Sequence, residues 1–136
     1  MERKNREKKL YIMFGMVALF LLTLVLPSVS AQIAVESSTV EPEIAYPGDE
    51  VNLKLSIENV GEDDIENVVV ALDLSKVPFA PVGSSTEKVI DKIRDNDNEL
   101  ISFDLIVLPT ADALIYKIPL TITYGTVSKT SLIAVP

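Results

Sequence analysis

The chain has 136 residues, 48% of them apolar, with 12 basic and 20 acidic side chains and neither Cys nor His. That length suits one domain. The missing residue types exclude disulfides, thiolate or His-bearing zinc sites, and Ser–His or Cys–His nucleophilic pairs.

The charge is unevenly placed. Arg3, Lys4, Arg6, Lys8 and Lys9 crowd the first nine positions, and beyond Ala31 there are 7 basic against 18 acidic residues, a balance of −11. So acidic a domain repels phosphate backbones, so no nucleic-acid partner is expected. Trp is absent and aromatics are sparse, which leaves Val, Ile and Leu to fill the core.

Residues 1–31 read as a targeting segment. A basic stretch, MERKNREKK, precedes an apolar run of 17 residues from Leu10 to Leu26, and Pro27 breaks it. Ala31 and Val29 stand at −1 and −3 of a candidate cleavage site. Two readings stay open. The segment is a signal peptide removed before Gln32, or an uncleaved signal-anchor transmembrane helix. In both, the N-terminus is cytoplasmic and the remainder is exported to the cell envelope or beyond.

Residues 32–136 read as one β domain. Ile33, Val35 and Val40 mark a first strand, interrupted by Glu41-Pro42-Glu43, which suits an edge strand that kinks or switches. Tyr46-Pro47-Gly48-Asp49 predicts a type II turn, with Pro at i+1 and Gly at i+2. From Pro47 to Leu74 the pattern predicts a β-hairpin. Val51, Leu53, Leu55 and Ile57 alternate on one face over Glu50–Glu58, an acidic loop follows at Gly61–Asp64, and a second apolar strand returns over Glu66–Leu74. Residues 75–86, with Pro78, Pro81 and Gly83, read as a loop or sheet-crossing connection.

A short strand is predicted at Glu87–Ile93, then a polar turn at Arg94–Asn98, then a strand at Glu99–Leu108 with Ile101, Phe103, Leu105 and Val107 aligned. Another is predicted at Ile115–Tyr124, where Pro119 suggests an edge or a local break. Gly125-Thr126 turns the chain into a last strand, Val127–Val135. The turn-and-alternation pattern of Pro47–Leu74 recurs at Glu87–Val107 and at Ile115–Val135. The expected fold is all-β, an antiparallel β-sandwich of about seven strands behind one N-terminal hydrophobic helix.

Chemistry-bearing motifs are few. No Walker-type or GxGxxG loop occurs. Paired carboxylates alone would suit a glycosidase, but no aromatic-rich sugar cleft is legible, so the chain is read as not an enzyme. Asp95, Asp97 and Glu99 alternate as oxygen donors and are candidate Ca²⁺ ligands. Asp and Asn in a hairpin turn equally serve local hydrogen bonding, so no cofactor is expected beyond that candidate calcium. Tyr46, Tyr116 and Tyr124 read as core or rim aromatics, with hydroxyl donation from Tyr124 to nearby backbone left open.

The run Pro47-Gly48-Asp49, Ile57-Glu58-Asn59-Val60-Gly61 and Asn67-Val68-Val69-Val70 resembles CARDB-like and archaeal S-layer-associated immunoglobulin-like domains. Ile118-Pro119-Leu120-Thr121-Ile122-Thr123-Tyr124 resembles their late strand. The likeness spans about residues 41–130 and implies an immunoglobulin-like sandwich that presents loops or an edge strand to other envelope or surface proteins. Members often carry tandem modules and a C-terminal anchor, whereas this sequence shows one module and no C-terminal hydrophobic segment. An uncleaved N-terminus implies a second layout, which resembles archaellum stator proteins: a membrane-anchored assembly factor with an external sandwich. A carbohydrate-binding or accessory domain is the third expectation.

Overall fold

Alternation decides which side of each strand is buried, and the core follows from it. Val51, Leu53, Leu55 and Ile57 are buried, as are Ile118, Leu120, Ile122 and Tyr124. The two cleanest period-2 runs therefore each turn one whole face inward. These positions come from a computed structural model, which describes residues 32–83 and 85–136. The signal-peptide, signal-anchor and hydrophobic-helix readings fall on residues 1–31, outside the described residues.

Among the described residues the chain forms eight strands and no helix: β1 (Ile33–Glu41), β2 (Glu50–Asn59), β3 (Ile65–Leu72), β4 (Phe79–Pro81), β5 (Glu87–Ile93), β6 (Asn98–Val107), β7 (Tyr116–Tyr124) and β8 (Val127–Val135). They make two antiparallel four-stranded sheets, ordered β1-β2-β6-β4 and β5-β3-β7-β8. Inward side chains of both sheets join in one hydrophobic core, with Phe103 the largest fully buried member. The rest is almost all Val, Ile and Leu, as the sparse aromatics require. Each fully buried side chain of this kind stabilises the fold by roughly 1.5–3 kcal/mol before ordering costs.

The expected hairpin across Pro47–Leu74 does not form. β2 pairs with β1 and β6, while β3 lies in the other sheet beside β5 and β7. The acidic loop therefore carries the chain from one sheet to the other. The second expected pair, Glu87–Ile93 with Glu99–Leu108, is likewise split between sheets. Only β1–β2 and β7–β8 are joined within one sheet. The five other connections cross. Residues 75–86 also contain an eighth strand, β4, whose three residues pair with the end of β6.

Three local forecasts are realised. The Asp49 N–H donates to the Tyr46 carbonyl at 2.9 Å and Gly48 has φ 97°, which makes the type II turn. Gly125 has φ 53° in the two-residue connection between β7 and β8, as a type II′ hairpin needs at its first central position. β1 is an edge strand as expected, but its irregularity is a bulge between Val35 and Ser37, not at Glu41-Pro42-Glu43, and its pairing runs on to Glu41.

Pro119 is not at an edge, because β7 lies between β3 and β8. It sits one residue beyond Leu72↔Leu120, the last pair with β3. There only its carbonyl is used, accepting the Asp73 N–H at 2.9 Å, so the ring is tolerated inside the sheet. In β3 and β5 the alternation breaks together. Ile65 and Val68 face inward, as do Ile90 and Ile93, and the register stays constant around Asn67, which has φ 55°.

All four sheet edges are blunted. β1 carries the bulge, and β4 has three residues ending in Pro81. β5 turns Lys88 toward the core, its Nζ 6.0 Å from the Phe103 ring centroid. β8 turns Lys129 toward the gap beside β1, where Nζ donates to the Ile33 carbonyl at 3.1 Å. Bulges, short strands, Pro and inward charges each discourage another chain from adding a strand.

Candidate functional site

The two acidic segments singled out in the sequence meet at one pole of the sandwich, and there they brace each other. Asn59, fully buried at the end of β2, is the pin. Its Nδ2 donates to the Asp63 carbonyl at 2.8 Å and the Arg94 carbonyl at 3.1 Å, and faces the Ile93 carbonyl at 3.3 Å. Its Oδ1 accepts the Gly61 N–H at 3.0 Å. The Asn59 N–H donates to the Asp97 carbonyl at 2.9 Å. Asp64 accepts the Asp95 N–H at 3.1 Å and pairs with Lys92 at 2.5 Å. Lys92 and then the Asp95 N–H hold the Asp64 carboxyl below its ordinary range, and Asp64 raises Lys92 in return.

Gly61 has a steric reason beside the hydrogen bond. A Cβ there would stand 2.9 Å from Cγ and Cδ of Gln32. Gln32 starts the described chain at this pole, where its carbonyl accepts the Val60 N–H at 2.7 Å and its N–H donates to the Tyr124 hydroxyl at 2.9 Å. Tyr124 thus accepts a backbone hydrogen bond through its hydroxyl.

The three candidate calcium ligands are placed as follows. Asp95 and Asp97 lie in the turn between β5 and β6, closed by the Asp97 N–H to the Arg94 carbonyl at 3.3 Å with Asn96 at φ 52°. The Asp97 carboxylate accepts the Asn98 N–H at 2.9 Å. Glu99 is extended in β6, opposite Ile57. Among the described residues, no group of three or more carboxylates converges as a cation cradle.

Next to this turn, Glu36 fills the β1 bulge. Its carboxylate accepts the Ser56 hydroxyl at 2.7 Å and the Asn98 amide at 2.8 Å. Those two bonds, Ser56 first, hold its carboxyl below the usual glutamate value. The arrangement joins β1, β2 and β6 and leaves the carboxylate committed to structure.

The opposite pole differs in kind. The loop after β1 and the loop between β6 and β7 enclose an open cleft of about 490 Å³. Ile44 and Tyr46 stand on one wall, 72% and 68% exposed, and Leu114 and Ile115 on the other, 61% and 69% exposed. Buried Phe79 and Val107 form the floor with Tyr116. Phe79 and Tyr116 meet edge to face, with centroids 5.6 Å apart.

The walls are fixed from below. The Gly48 N–H donates to the Val107 carbonyl, and the Val107 N–H to the Asp49 carbonyl, at 2.8 and 2.9 Å. Asp49 Oδ2 accepts the Tyr46 N–H at 2.8 Å. The Tyr116 hydroxyl accepts the Asp112 N–H at 2.7 Å, which closes the second wall. Sequence reasoning missed this site. It placed Ile115 at the start of a strand and Tyr46 in the core or rim. The available signal was a set of large apolar residues inside turn-rich loops, Ile44-Ala45-Tyr46-Pro47 and Ala113-Leu114-Ile115.

No protein-family model matches the chain, and no curated protein matches it. Among solved structures it is similar to the alkylpurine DNA glycosylase AlkC of Pseudomonas fluorescens bound to DNA containing an abasic-site analogue: 16% identity, TM-score 0.42, covering 83% of this chain and 33% of that one. It is also similar to the β-glucosidase EmGH1 of Erythrobacter marinus, at 12% identity and TM-score 0.37, covering 75% of this chain and 15% of that one. A third likeness is to the sporulation control protein Spo0M of Bacillus subtilis, at 14% identity and TM-score 0.40, covering 78% and 49%. The chain thus spans less than half of each of these structures, and at these TM-scores the likenesses assign neither family nor function.

Proposed function

We propose that this chain is a non-enzymatic, exported envelope module that binds another protein through the apolar cleft at one end of an immunoglobulin-like sandwich. The observation that carries this reading is the concentration of Ile44, Tyr46, Leu114 and Ile115 around one cleft. Large apolar side chains grouped at a surface signify a contact, whereas scattered ones do not. The blunted strand edges favour insertion of partner side chains into the cleft over strand addition.

Strand order supports the immunoglobulin-like assignment. In space the order β1-β2-β6-β4 matches A-B-E-D and β3-β7-β8 matches C-F-G, while β5, an extra strand beside the third, follows β4 in the chain instead of preceding it as an immunoglobulin C′ strand does. The anchored form is the second reading, and it rests on the basic stretch and the apolar run Leu10 to Leu26.

A photo-crosslinker at Ile115, in cells that make the full chain, tests the proposal. A specific protein adduct is expected, lost when Ile44 is changed to Ser. Recovery of monomer alone removes the cleft as a contact. N-terminal sequencing of the same material separates the two forms, since a start at Gln32 excludes the anchored one.

A further inference from the structure

We infer that the cleft selects a linear protein segment whose large apolar side chain is flanked by Lys or Arg. This rests on the reading of the cleft as a protein contact and specifies the partner's chemistry. The apolar walls and floor define the anchor. A volume of about 490 Å³ lies within the range of sites that enclose a compact apolar group, about 300–1,000 Å³.

Charge defines the flanks. Glu43 and Asp112 stand at the rim, one beside each apolar wall, and no Lys or Arg lies among the described residues lining the cleft. Neither carboxylate is used in an ion pair among the described residues. The balance of −11 beyond Ala31 adds a field of the same sign. Such a rim steers cationic segments inward and costs affinity for acidic ones. It also opposes the two other occupants of an apolar patch. An anionic membrane surface is repelled, and a second copy would bring its own Glu43 and Asp112 against the same rim. Tyr46, with its ring exposed, can take a flanking cation over its face.

The test uses the full chain in phosphatidylcholine nanodiscs, with empty discs as background, and three fluorescent peptides. One has a Leu-Phe centre flanked by two Lys on each side. Its twin has Glu in place of Lys, and the third keeps the Lys but has Ser and Gly at the centre. The Lys-flanked apolar peptide should bind at least about tenfold more tightly than either other peptide, and more weakly as salt rises. Ile44→Ser with Ile115→Ser should lower its affinity about tenfold or more, with Tm unchanged because both side chains are exposed. Glu43→Lys with Asp112→Lys should reverse the preference toward the Glu-flanked twin.

Equal binding of both apolar peptides, or binding indifferent to the Ile44 and Ile115 changes, overturns the inference. So does concentration-dependent dimerisation that those changes abolish, since a second copy would then cover the cleft. If no peptide binds while the Ile115 crosslink still joins a protein in cells, the flanking-charge rule fails and the protein-contact reading stands. If both fail, the cleft is not a contact.

Discussion

The Asn59 side chain receives the Gly61 N–H at 3.0 Å on its Oδ1 and spends its Nδ2 on carbonyls of two other segments. This short Asn-x-Gly step fastens the sheet-crossing loop to the β5–β6 turn. Asn59→Ala leaves the Gly61 N–H and two carbonyls short of partners, at about 1–3 kcal/mol for each group left buried and unpaired. All three groups are part-buried and water serves them in part, so a loss of roughly 2–4 kcal/mol is expected in urea unfolding. Asn59→Asp should be worse at neutral pH, because a carboxylate would face carbonyl oxygens. Its disadvantage relative to Asn59→Ala should narrow as the pH falls and the carboxyl takes up a proton. A loss below about 0.5 kcal/mol for Asn59→Ala would show that the pin is dispensable.

Lys88 and Lys129 point inward from the two edge strands of one sheet. Replacing both with Ile removes the inward charge that discourages strand addition. Tm should change little, while light scattering on agitation should rise several-fold sooner than in the parent. Unchanged aggregation would place the protection in the charged outer faces instead.

Glu36 links stability to acid. Its carboxyl is held below the ordinary value of 4.5 by the Ser56 hydroxyl and then the Asn98 amide. A depressed carboxyl stabilises the fold fully above its unfolded value and loses that contribution as the pH falls through the lower folded value. Asp64, held down first by Lys92, and Asp73, held down first by Ser75, act in the same direction from 3.8. Acid also relieves repulsion among the many carboxylates, so the informative quantity is a difference. The Tm gap between the parent and Glu36→Gln should be present at neutral pH and close as the pH falls to about 3. A gap independent of pH would mean that the side chain acts by shape alone.

For the turn that carries Asp95, Asp97 and Glu99, local hydrogen bonding predicts indifference to calcium. The Asp97 carboxylate serves the Asn98 N–H, and Glu99 is extended in β6. Adding calcium to about 1 mM, or adding chelator, should leave Tm unchanged. A rise of several degrees with calcium, abolished by Asp97→Asn, would assign these residues to the ion.

How much was legible follows from the range of each interaction. The type II turn at Tyr46–Asp49, the two-residue turn at Gly125-Thr126 and the inward faces of β2 and β7 depend on residues close in sequence. Local sterics and period-2 burial therefore write them directly into the chain. The loop acids were legible as turn residues, but not as two segments tied together through Asn59.

Strand partnership was not legible. Alternation says that Val51, Leu53, Leu55 and Ile57 face a core. It does not say whether β3 lies beside β2 or across from it, because both placements bury the same side chains. Packing of two complete sheets decides that, and it seats β6, not β3, against β2. The cleft is decided in the same way. Ile44 and Ile115 lie far apart in the chain, and each alone is an ordinary apolar loop residue. By itself the sequence determined the turns, the buried faces and the acidic balance. Only the tertiary structure brought two loops to one pole, because the surface they share exists only once both sheets have closed over the core.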